Sequence, residues 1–447
     1  MSNKATRIQL LKIHKFGPIP IPLPNLSTPQ MRAFHITWLA FFLCFFAWFG
    51  IAPLMVIVRG ELGLTRQQAK WCIIGSVAIT VFARLIIGRL CDRIGPRLAY
   101  TWLLILGSIP VIGIAFVQSF EAFLVFRILI GVIGASFVIT QYHTTLMFAP
   151  NCVGTANATT AGWGNLGGGV TQFAMPALMG AFVALFAFSE SMGWRAAMIV
   201  AGLVCAMTGW LYYRFTQDTP EGNFKELRES GQLPPSAKSK GSFKAACKDR
   251  RVWALFFIYA GCFGIELTIN NIAAVYFHDY FGLSVYWAGL AAAAFGLMNL
   301  FARTLGGAIA DRFAGRFGLN GRVWWLFAAL LLEGLALILF SQMTVLALAI
   351  PTLILFSLFV QMSEGATFSV VPFVNKKALG SVAGIVGAGG NAGAVAAGFL
   401  FAGHWPTALM ILGVIVTAVS FLALTVRFAP EVQAEEDANF AAAVATA

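Results

Sequence analysis

The chain has 447 residues, of which 59% are hydrophobic and 11% charged, and its mean hydropathy is +0.80. Because a soluble domain carries about 25% charged residues, this composition excludes a soluble globular protein and predicts an all-α, polytopic membrane protein within a lipid bilayer. The net charge of +12 lies mainly in segments between apolar runs, so we expect these charges to orient the helices and predict no nucleic-acid partner.

The seven cysteines are scattered, and most of them lie inside apolar runs. Their spacing predicts neither a disulfide framework nor a metal site. We also find no phosphate-binding loop and no arrangement of a nucleophile with a base. The sequence therefore predicts a protein that is not an enzyme and that needs no cofactor and no metal.

In chain order, residues 1–35 form a basic tail with a polyproline-type stretch at 17–24, GPIPIPLP. The tail lacks the hydrophobic region of a cleavable signal peptide, so we expect the first span to direct insertion. Twelve apolar spans long enough to cross a bilayer follow, at 36–58, 70–90, 98–117, 122–146, 156–186, 195–215, 252–277, 286–308, 322–341, 345–370, 380–402 and 405–428. The fifth is long and glycine-rich, which predicts a bend or a short re-entrant turn.

The polar stretch at 216–251 divides the spans into an N-terminal half, 36–215, and a C-terminal half, 252–428, and 429–447 form a second tail. With the N-terminus inside, the inner segments hold 23 of the 30 lysines and arginines, and the outer loops hold four. This excess predicts cytoplasmic tails and a cytoplasmic linker. We expect a monomer in the inner (cytoplasmic) membrane of a bacterium.

A twelve-residue phrase occurs once in each half, FARLIIGRLCDR at Phe82–Arg93 and FARTLGGAIADR at Phe301–Arg312. Both copies lie in the second span of their half and run in the same direction, which indicates a parallel repeat. Each copy places an arginine, Arg84 or Arg303, in an apolar run. Because a buried cation is costly and normally marks a solute path, the pair predicts one binding site between the halves.

The segment GRLCDRIGPR at Gly88–Arg97 resembles the loop signature of the major facilitator superfamily, and RILIGVIG from Arg127 resembles its fourth-span arginine motif. The resemblance implies twelve transmembrane helices in two six-helix halves. We expect Asp92 to face a helix N-terminus and Arg93 and Arg97 to pair with acids. The gating and structural candidates in these motifs and in the second copy are Gly88, Asp92, Arg93, Arg97, Arg127, Gly307, Asp311 and Arg312.

Two further phrases place one amide inside a glycine run, AGWGNLGGGVTQ at Ala161–Gln172 and GIVGAGGNAGAV at Gly384–Val395. Asn165 and Asn391 would then donate hydrogen bonds to a small, flat solute across a thin helix wall. The alternative is that these glycines pack helices and the asparagines are incidental. The glycines singled out as structural are Gly164, Gly167, Gly390 and Gly393.

Together with these phrases, four segments resemble the nitrate/nitrite porter family, and most closely its high-affinity nitrate:proton symporter branch: Ser136–Phe148, Val153–Asn157, Phe263–Asn271 and Gln361–Phe373. The resemblance implies that Arg84 and Arg303 bind the anion and that signature asparagines match Asn165 and Asn391. It also implies that aromatic residues matching Phe137, Tyr259 and Phe263 enclose it. The central loop lacks the large insertion of some fungal members.

The chemistry of nitrate agrees with this resemblance. Nitrate is planar and monovalent, and a guanidinium can hydrogen-bond two of its oxygens in one plane, which a lysine cannot do. Two carboxyls in the family-like phrases, Glu266 and Glu364, are candidates for proton coupling. His143 is a third candidate, with a helix-packing histidine as the alternative, and Glu333 in the ninth span is expected to be a packing or interface acid.

We therefore expect an importer of nitrate, with nitrite as a second substrate, that works by alternating access and proton symport. An inside-negative membrane opposes anion entry by about 2.3 kcal/mol per 100 mV, so accumulation requires a coupled cation. An electroneutral nitrate/nitrite exchanger is the main alternative. The remaining alternatives are a nitrate receptor that does not transport and a porter for an organic anion.

Overall fold

The computed structural model describes residues 12–13, 26–232, 242–283, 285–400 and 404–445. Within these ranges all elements are helical, apart from two isolated β-bridges, Ile13 with Phe148 and Thr219 with Gly222. The predicted polyproline stretch at 17–24 and the middle of the predicted linker lie outside them.

In the first half, the described residues form six long helices: α1 Pro29–Phe49, α2 Arg66–Ile94, α3 Pro96–Gly113, α4 Phe120–Met147, α5 Val153–Phe186 and α6 Glu190–Phe215. A 3-10 turn at Val132–Ala135 interrupts α4. Helix α1 begins seven residues before the predicted boundary, because Thr28 caps the amide of Met31 and Pro29 starts the first turn. Of the two forms predicted for the fifth span, a bend or a re-entrant turn, the re-entrant turn is wrong, because α5 is one continuous helix with Pro176 inside it.

In the second half, the long helices are α7 Arg250–Phe281, α8 Val285–Leu297, α9 Ala302–Ser341, α10 Leu346–Val374, α11 Leu379–Leu400 and α12 Trp405–Ser420. The 40 residues of α9 would extend about 60 Å, twice the thickness of a bilayer core. Gly318 divides it, with φ 61° and ψ −153°. The part before Gly318 continues the eighth crossing begun by α8, and the part after it forms the ninth.

The outer faces of these helices carry large apolar side chains, as contact with lipid requires. Phe82 and Ile86 of α2 are 63% and 67% exposed, whereas Arg84 between them is fully buried. This copy of the repeated phrase therefore presents Phe82 and Ile86 outward and its arginine inward.

Within the first half, α1 packs on α5, α2 on α4 and α3 on α6; within the second, α7 packs on α11 and α9 on α10 and α12. The two halves meet along two matching helix pairs, α2 with α11 and α5 with α9. Each pair contains one copy of the repeated phrase and one of the Asn–Gly phrases, so the two sequence repeats meet at the interface between the halves.

Two matching carboxylates close this interface at the end of the molecule that carries both tails, here called the tail side. Asp92 of α2 accepts hydrogen bonds from the amides of Gly380 and Ser381 and from the Ser381 hydroxyl, at 3.1, 3.2 and 2.9 Å, at the N-terminus of α11. Asp311 of α9 accepts from the amides of Gly154 and Thr155 and from the Thr155 hydroxyl, at 3.2, 2.6 and 2.6 Å. Carboxylates are favourable at helix N-termini because they accept from free N–H groups there.

Gly88 and Gly307 allow these two contacts to form. A Cβ at Gly88 would collide with the backbone carbonyl of Gly380, and one at Gly307 would collide with the carbonyl of Gly154. Both positions therefore need glycine for close approach of two helix backbones.

The tails and the linker lie against the same side. The amide of Ala149, between α4 and α5, donates to the Ile13 carbonyl at 2.8 Å, and the Ile13 amide donates to Met147. Short helices at Phe224–Glu229 and Ser242–Lys248 occupy the described parts of the linker, and α13, Pro430–Ala445, follows the last span. Lys376, between α10 and α11, forms an ion pair with the buried Glu436 of α13.

Candidate functional site

Arg84 projects from α2 into the interface between the halves. Its Nε donates to the carbonyl of Gly134 in α4 at 3.3 Å, and its Nη1 donates to the carbonyl of Gly387 in α11 at 2.5 Å. Among the described residues its Nη2 has no hydrogen-bond partner, and no carboxylate forms an ion pair with it. The guanidinium is therefore a buried cation held by neutral backbone groups.

Arg303, from the second copy of the phrase, has acidic partners instead. Its Nη1 forms an ion pair with Oε2 of Glu364 in α10 and lies 3.6 Å from Oε2 of Glu266 in α7. Its Nη2 donates to the hydroxyl of Tyr259 at 2.8 Å. The Arg303 guanidinium thus lies between two carboxyls of the same half.

Both arginines lie beside the same cluster of aromatic rings. The Phe137 ring of α4 is nearly parallel to the rings of Tyr259 and Phe263 in α7, with centroids 5.5 and 5.8 Å away. The guanidinium carbon of Arg84 lies 5.0 and 4.9 Å from the centroids of Phe137 and Phe263, and that of Arg303 lies 5.6 and 5.9 Å from them. Both cations therefore face the same pair of rings, at distances typical of cation–π contact.

This arrangement brings together residues from both halves and shields them from solvent. The two arginines and the three rings are 0% exposed. Away from solvent, a charge interacts strongly with its partners because the local dielectric constant is low. A small planar anion between the guanidinium planes and the rings would receive N–H donors from both halves.

Asn165 of α5 lies at the acidic side of this cluster. Its Nδ2 donates to Oε2 of Glu266 at 3.0 Å, and Nδ2 of Asn299 donates to the other oxygen, Oε1, at 2.6 Å. The Glu266 carboxylate therefore accepts from two amides, one from each half, beside Arg303. The sequence predicted that Asn165 donates to the solute, whereas here it donates to a carboxyl of the protein.

Asn391 of α11, the counterpart of Asn165, has a weaker contact. Its Nδ2 donates to the Val77 carbonyl of α2 at 3.4 Å, and its Oδ1 is buried without a hydrogen-bond partner among the described residues. The amide therefore bridges the halves on the α2–α11 side.

The glycines around the two asparagines pack helices in matching pairs. A Cβ at Gly164 would meet the Phe41 ring of α1, and one at Gly167 would meet the Phe42 backbone. In the second half, Gly390 makes room for the Phe263 ring, and Gly393 faces the Ala260 backbone of α7. Through Gly390, this packing also positions one ring of the site.

His143 is not part of this cluster. It lies buried near the tail side, where its Nε2 donates to the Gln217 carbonyl at 2.8 Å and its Nδ1 lies 2.6 Å from the Tyr212 hydroxyl. The ring nitrogens have partners in the first half and at the start of the adjoining linker, so the contacts correspond to the helix-packing alternative.

The remaining motif residues lie away from the cluster. Arg127 donates to the Trp48 carbonyl at 3.0 Å, and Arg312 is exposed. The Arg97 guanidinium donates to the Tyr213 carbonyl, and its backbone amide, not its side chain, donates to Asp218 at 2.8 Å. Burial raises the pKa of Asp218, against the lowering effect of the amides of Phe224 and Arg97. The Arg93 carbonyl accepts from Arg228.

The sequence patterns missed three residues around the site. Asn299 lies two positions before the second phrase, and Phe368 packs edge-on against Phe137 with centroids 4.7 Å apart. Arg322 was counted among the inner-loop charges, but it is 1% exposed, and its Nη1 donates to Asp311 at 2.6 Å. An amide in an apolar run was the available signal for Asn299.

Comparison with known proteins agrees with this architecture. The family model of the Major Facilitator Superfamily matches residues 37–385. The high affinity nitrate transporter 2.5 of Arabidopsis thaliana is 38% identical over 89% of this chain and 76% of its own. The nitrate/nitrite transporter NrtP of Nostoc punctiforme is 30% identical over 82% of this chain and 86% of its own.

Two solved structures share the fold at low sequence identity. The human organic anion transporter MFSD10 has a TM-score of 0.64 and 17% identity, covering 89% of this chain and all of its own. The proton:xylose symporter XylE has a TM-score of 0.66 and 15% identity, covering 90% and 96%. At such identities the likeness concerns the fold alone.

The chain belongs to the major facilitator superfamily, and within it to the family that contains these nitrate and nitrite transporters. It is a multi-pass membrane transporter and not an enzyme. The predicted all-α membrane fold and the resemblance to the nitrate/nitrite porters are thereby confirmed.

Proposed function

We propose that this protein imports nitrate, with nitrite as a second substrate, by proton symport. The observation that carries this proposal is Arg84, a fully buried cation that lies beside two aromatic rings and whose hydrogen-bond partners are backbone carbonyls. Because an unpaired cation in a membrane interior is costly, a monovalent anion is the natural counter-ion. The names of the relatives identify nitrate as the first candidate.

The anion binds between Arg84 and Arg303, beside Phe137, Tyr259 and Phe263. The guanidinium forks hydrogen-bond its oxygens in plane, and the rings limit the site to a small flat solute. Support comes from the common pair of rings that both guanidiniums face. Asn391 lines the α2–α11 side, and Asn165 positions Glu266.

Proton coupling arises at Glu266 and Glu364. When nitrate neutralises the arginines, Arg303 stabilises the two nearby carboxylates less, so their affinity for protons rises. Support comes from the ion pair of Arg303 with Glu364 and its 3.6 Å approach to Glu266. His143 takes no part in this proposal, because its partners are Tyr212 and Gln217 and not either arginine or the two carboxyls.

Transport proceeds by rocking of residues 36–215 against 252–428 about this site. The contacts at Asp92 and Asp311 hold the tail side closed in the present conformation and break when it opens. The excess of basic residues supports a cytoplasmic tail side. We further propose a monomer, since one chain provides both halves of the site.

Reconstituted protein tests this proposal in proteoliposomes at controlled potential and pH. An imposed inward proton gradient should drive nitrate accumulation, and added nitrate should evoke inward current. Glu266→Gln and Glu364→Gln should each lose proton-driven uptake while keeping some nitrate/nitrate exchange, and Glu121→Gln on the exposed end of α4 serves as the control. Wild-type protein that moves nitrate only against internal nitrate or nitrite, without proton flux, would be an exchanger.

A further inference from the structure

A third carboxyl, Glu333 of α9, lies buried close to the acids already described. It is 0% exposed, and its Oε2 is in hydrogen-bond contact with the hydroxyl of Ser363 in α10, the residue before Glu364. Its Oε1 is buried without a hydrogen-bond partner among the described residues. No ion pair of the described residues includes Glu333, in contrast to Glu364.

The Ser363 hydroxyl has two contacts but a single hydrogen to donate. The Ser363 Oγ lies 2.9 Å from the Val360 carbonyl and also contacts Oε2 of Glu333. A hydroxyl has one hydrogen to donate, so it cannot make a full hydrogen bond to a carbonyl and another to a carboxylate at once. Both contacts become hydrogen bonds only if the Glu333 carboxyl carries a proton and donates it to Ser363, while Ser363 donates to Val360.

The surrounding charges lead to the same protonation state. Among the ion pairs of the described residues, Arg303 is paired with Glu364 and Glu266, and none provides Glu333 with a cation. An ionised Glu333 would add a third buried carboxylate to a cluster with two arginines. An isolated buried carboxylate is so unfavourable that it takes up a proton instead.

We propose that Glu333 is a third proton-binding residue of the transport site, protonated in this conformation and linked to the anion through Glu364 and Glu266. This inference rests on the proposed symport. Two arginines and three carboxyls are neutral with one proton, and a bound nitrate requires a second. Because linkage is reciprocal, nitrate binding strengthens proton binding at Glu333, and departure of nitrate favours breakage of its O–H bond and release of the proton to water.

Infrared spectroscopy and proton counting test this inference on the purified full-length protein. Without nitrate, wild type should show the C=O band of a protonated carboxyl, and Glu333→Gln should lack it. At a pH high enough to remove this band from the nitrate-free wild type, nitrate binding should restore it, and the proton uptake, measured by calorimetry in buffers of different ionisation enthalpy, should be smaller in Glu333→Gln. At the lower pH, where Glu333 carries its proton with or without nitrate, nitrate affinity in Glu333→Gln should change less than about threefold, or about 0.6 kcal/mol, because glutamine is neutral like the protonated acid.

The control is Glu121→Gln, which should leave both the band and the proton uptake unchanged. If Glu333→Gln does not fold, Ser363→Ala replaces it: loss of the acceptor should shift the band, and an unshifted band overturns the inference. Proton uptake in Glu333→Gln that equals the wild-type value, or the absence of the band from wild type, overturns the inference about Glu333 and does not affect the proposed symport. A wild-type protein that binds nitrate without taking up protons overturns symport and this inference together.

Discussion

The two copies of the repeated phrase place their arginines in equivalent positions, but the surroundings of the two arginines differ. Arg84 donates to the carbonyls of Gly134 and Gly387, whereas Arg303 lies between Glu364 and Glu266. Internal duplication therefore conserves the position of a charge without conserving its counter-ions. We infer that Arg84 attracts the anion and that Arg303 communicates its arrival to the acids.

The largest expected difference between the two arginines is their contribution to the stability of the fold. Arg303→Gln would leave Glu364 and Glu266 without their cation, and removal of one partner of a buried ion pair costs about 3–5 kcal/mol. Arg84→Gln removes a cation that has no acidic partner, so its Tm in detergent should equal or exceed that of wild type. Thermal unfolding of both variants checks this, and equal losses of Tm would contradict the difference between the two arginines.

Nitrate affinity is the second test. Arg84→Lys keeps the charge but loses the planar pair of donors, and loss of two charge-assisted bonds, each worth about 1.5 kcal/mol, predicts a decrease of about a hundredfold. Arg303→Lys should also lower affinity severely. Calorimetric titration with nitrate measures both effects. Normal affinity in the two lysine variants would disprove binding between the guanidiniums.

The paired asparagines give a smaller contrast. Asn165→Asp would place a carboxylate 3.0 Å from Glu266 in place of an amide donor, whereas Asn391→Asp loses only a 3.4 Å contact with the Val77 carbonyl. We expect transport to fall more in Asn165→Asp, and each aspartate variant to be worse than its alanine variant. Initial rates of nitrate uptake decide this, and mild, equal effects of Asp and Ala at both positions would favour a packing role.

The smallest expected effect is that of Tyr259→Phe. This variant removes the hydrogen bond that the Arg303 guanidinium donates to the uncharged hydroxyl and keeps the ring, so the loss should be about 1.5 kcal/mol, or roughly tenfold in nitrate affinity. Its control is Tyr142→Phe, since Tyr142 is buried in α4 but has no contact with either arginine among those described. A loss as large as that in Arg84→Lys would mean that the hydroxyl contacts the anion directly.

Much of the architecture could be predicted because its signals are local. The spans follow from apolar length, and the repeat of Phe82–Arg93 at Phe301–Arg312 indicates the two halves. The different environments of Arg84 and Arg303 were not predictable, because they depend on α7 and α10 placing Glu266 and Glu364 beside only one of them. The sequence copies are alike at the arginines, and the asymmetry comes from other helices.

Arg322 and Glu333 show the same limit in different ways. Arg322 follows the division at Gly318, and its position in the chain suggested an exposed loop, yet the turn brings it onto Asp311. Glu333 is a single acid in an apolar span, a pattern that also suits a packing residue. Its proposed role depends on the contacts of Ser363 with both Glu333 and the Val360 carbonyl, which only three-dimensional positions reveal.

The paired carboxylates on the tail side affect how selective transport can be. Asp92 and Asp311 each accept three hydrogen bonds from the opposite half. If each bond contributes about 0.5 kcal/mol, the population of the empty protein that is open toward the tail side is about a hundredfold smaller than the closed population. A solute must supply comparable free energy to open it, so weakly bound anions are turned over slowly. Discrimination then occurs at the opening step as well as at binding, and the empty protein leaks few protons.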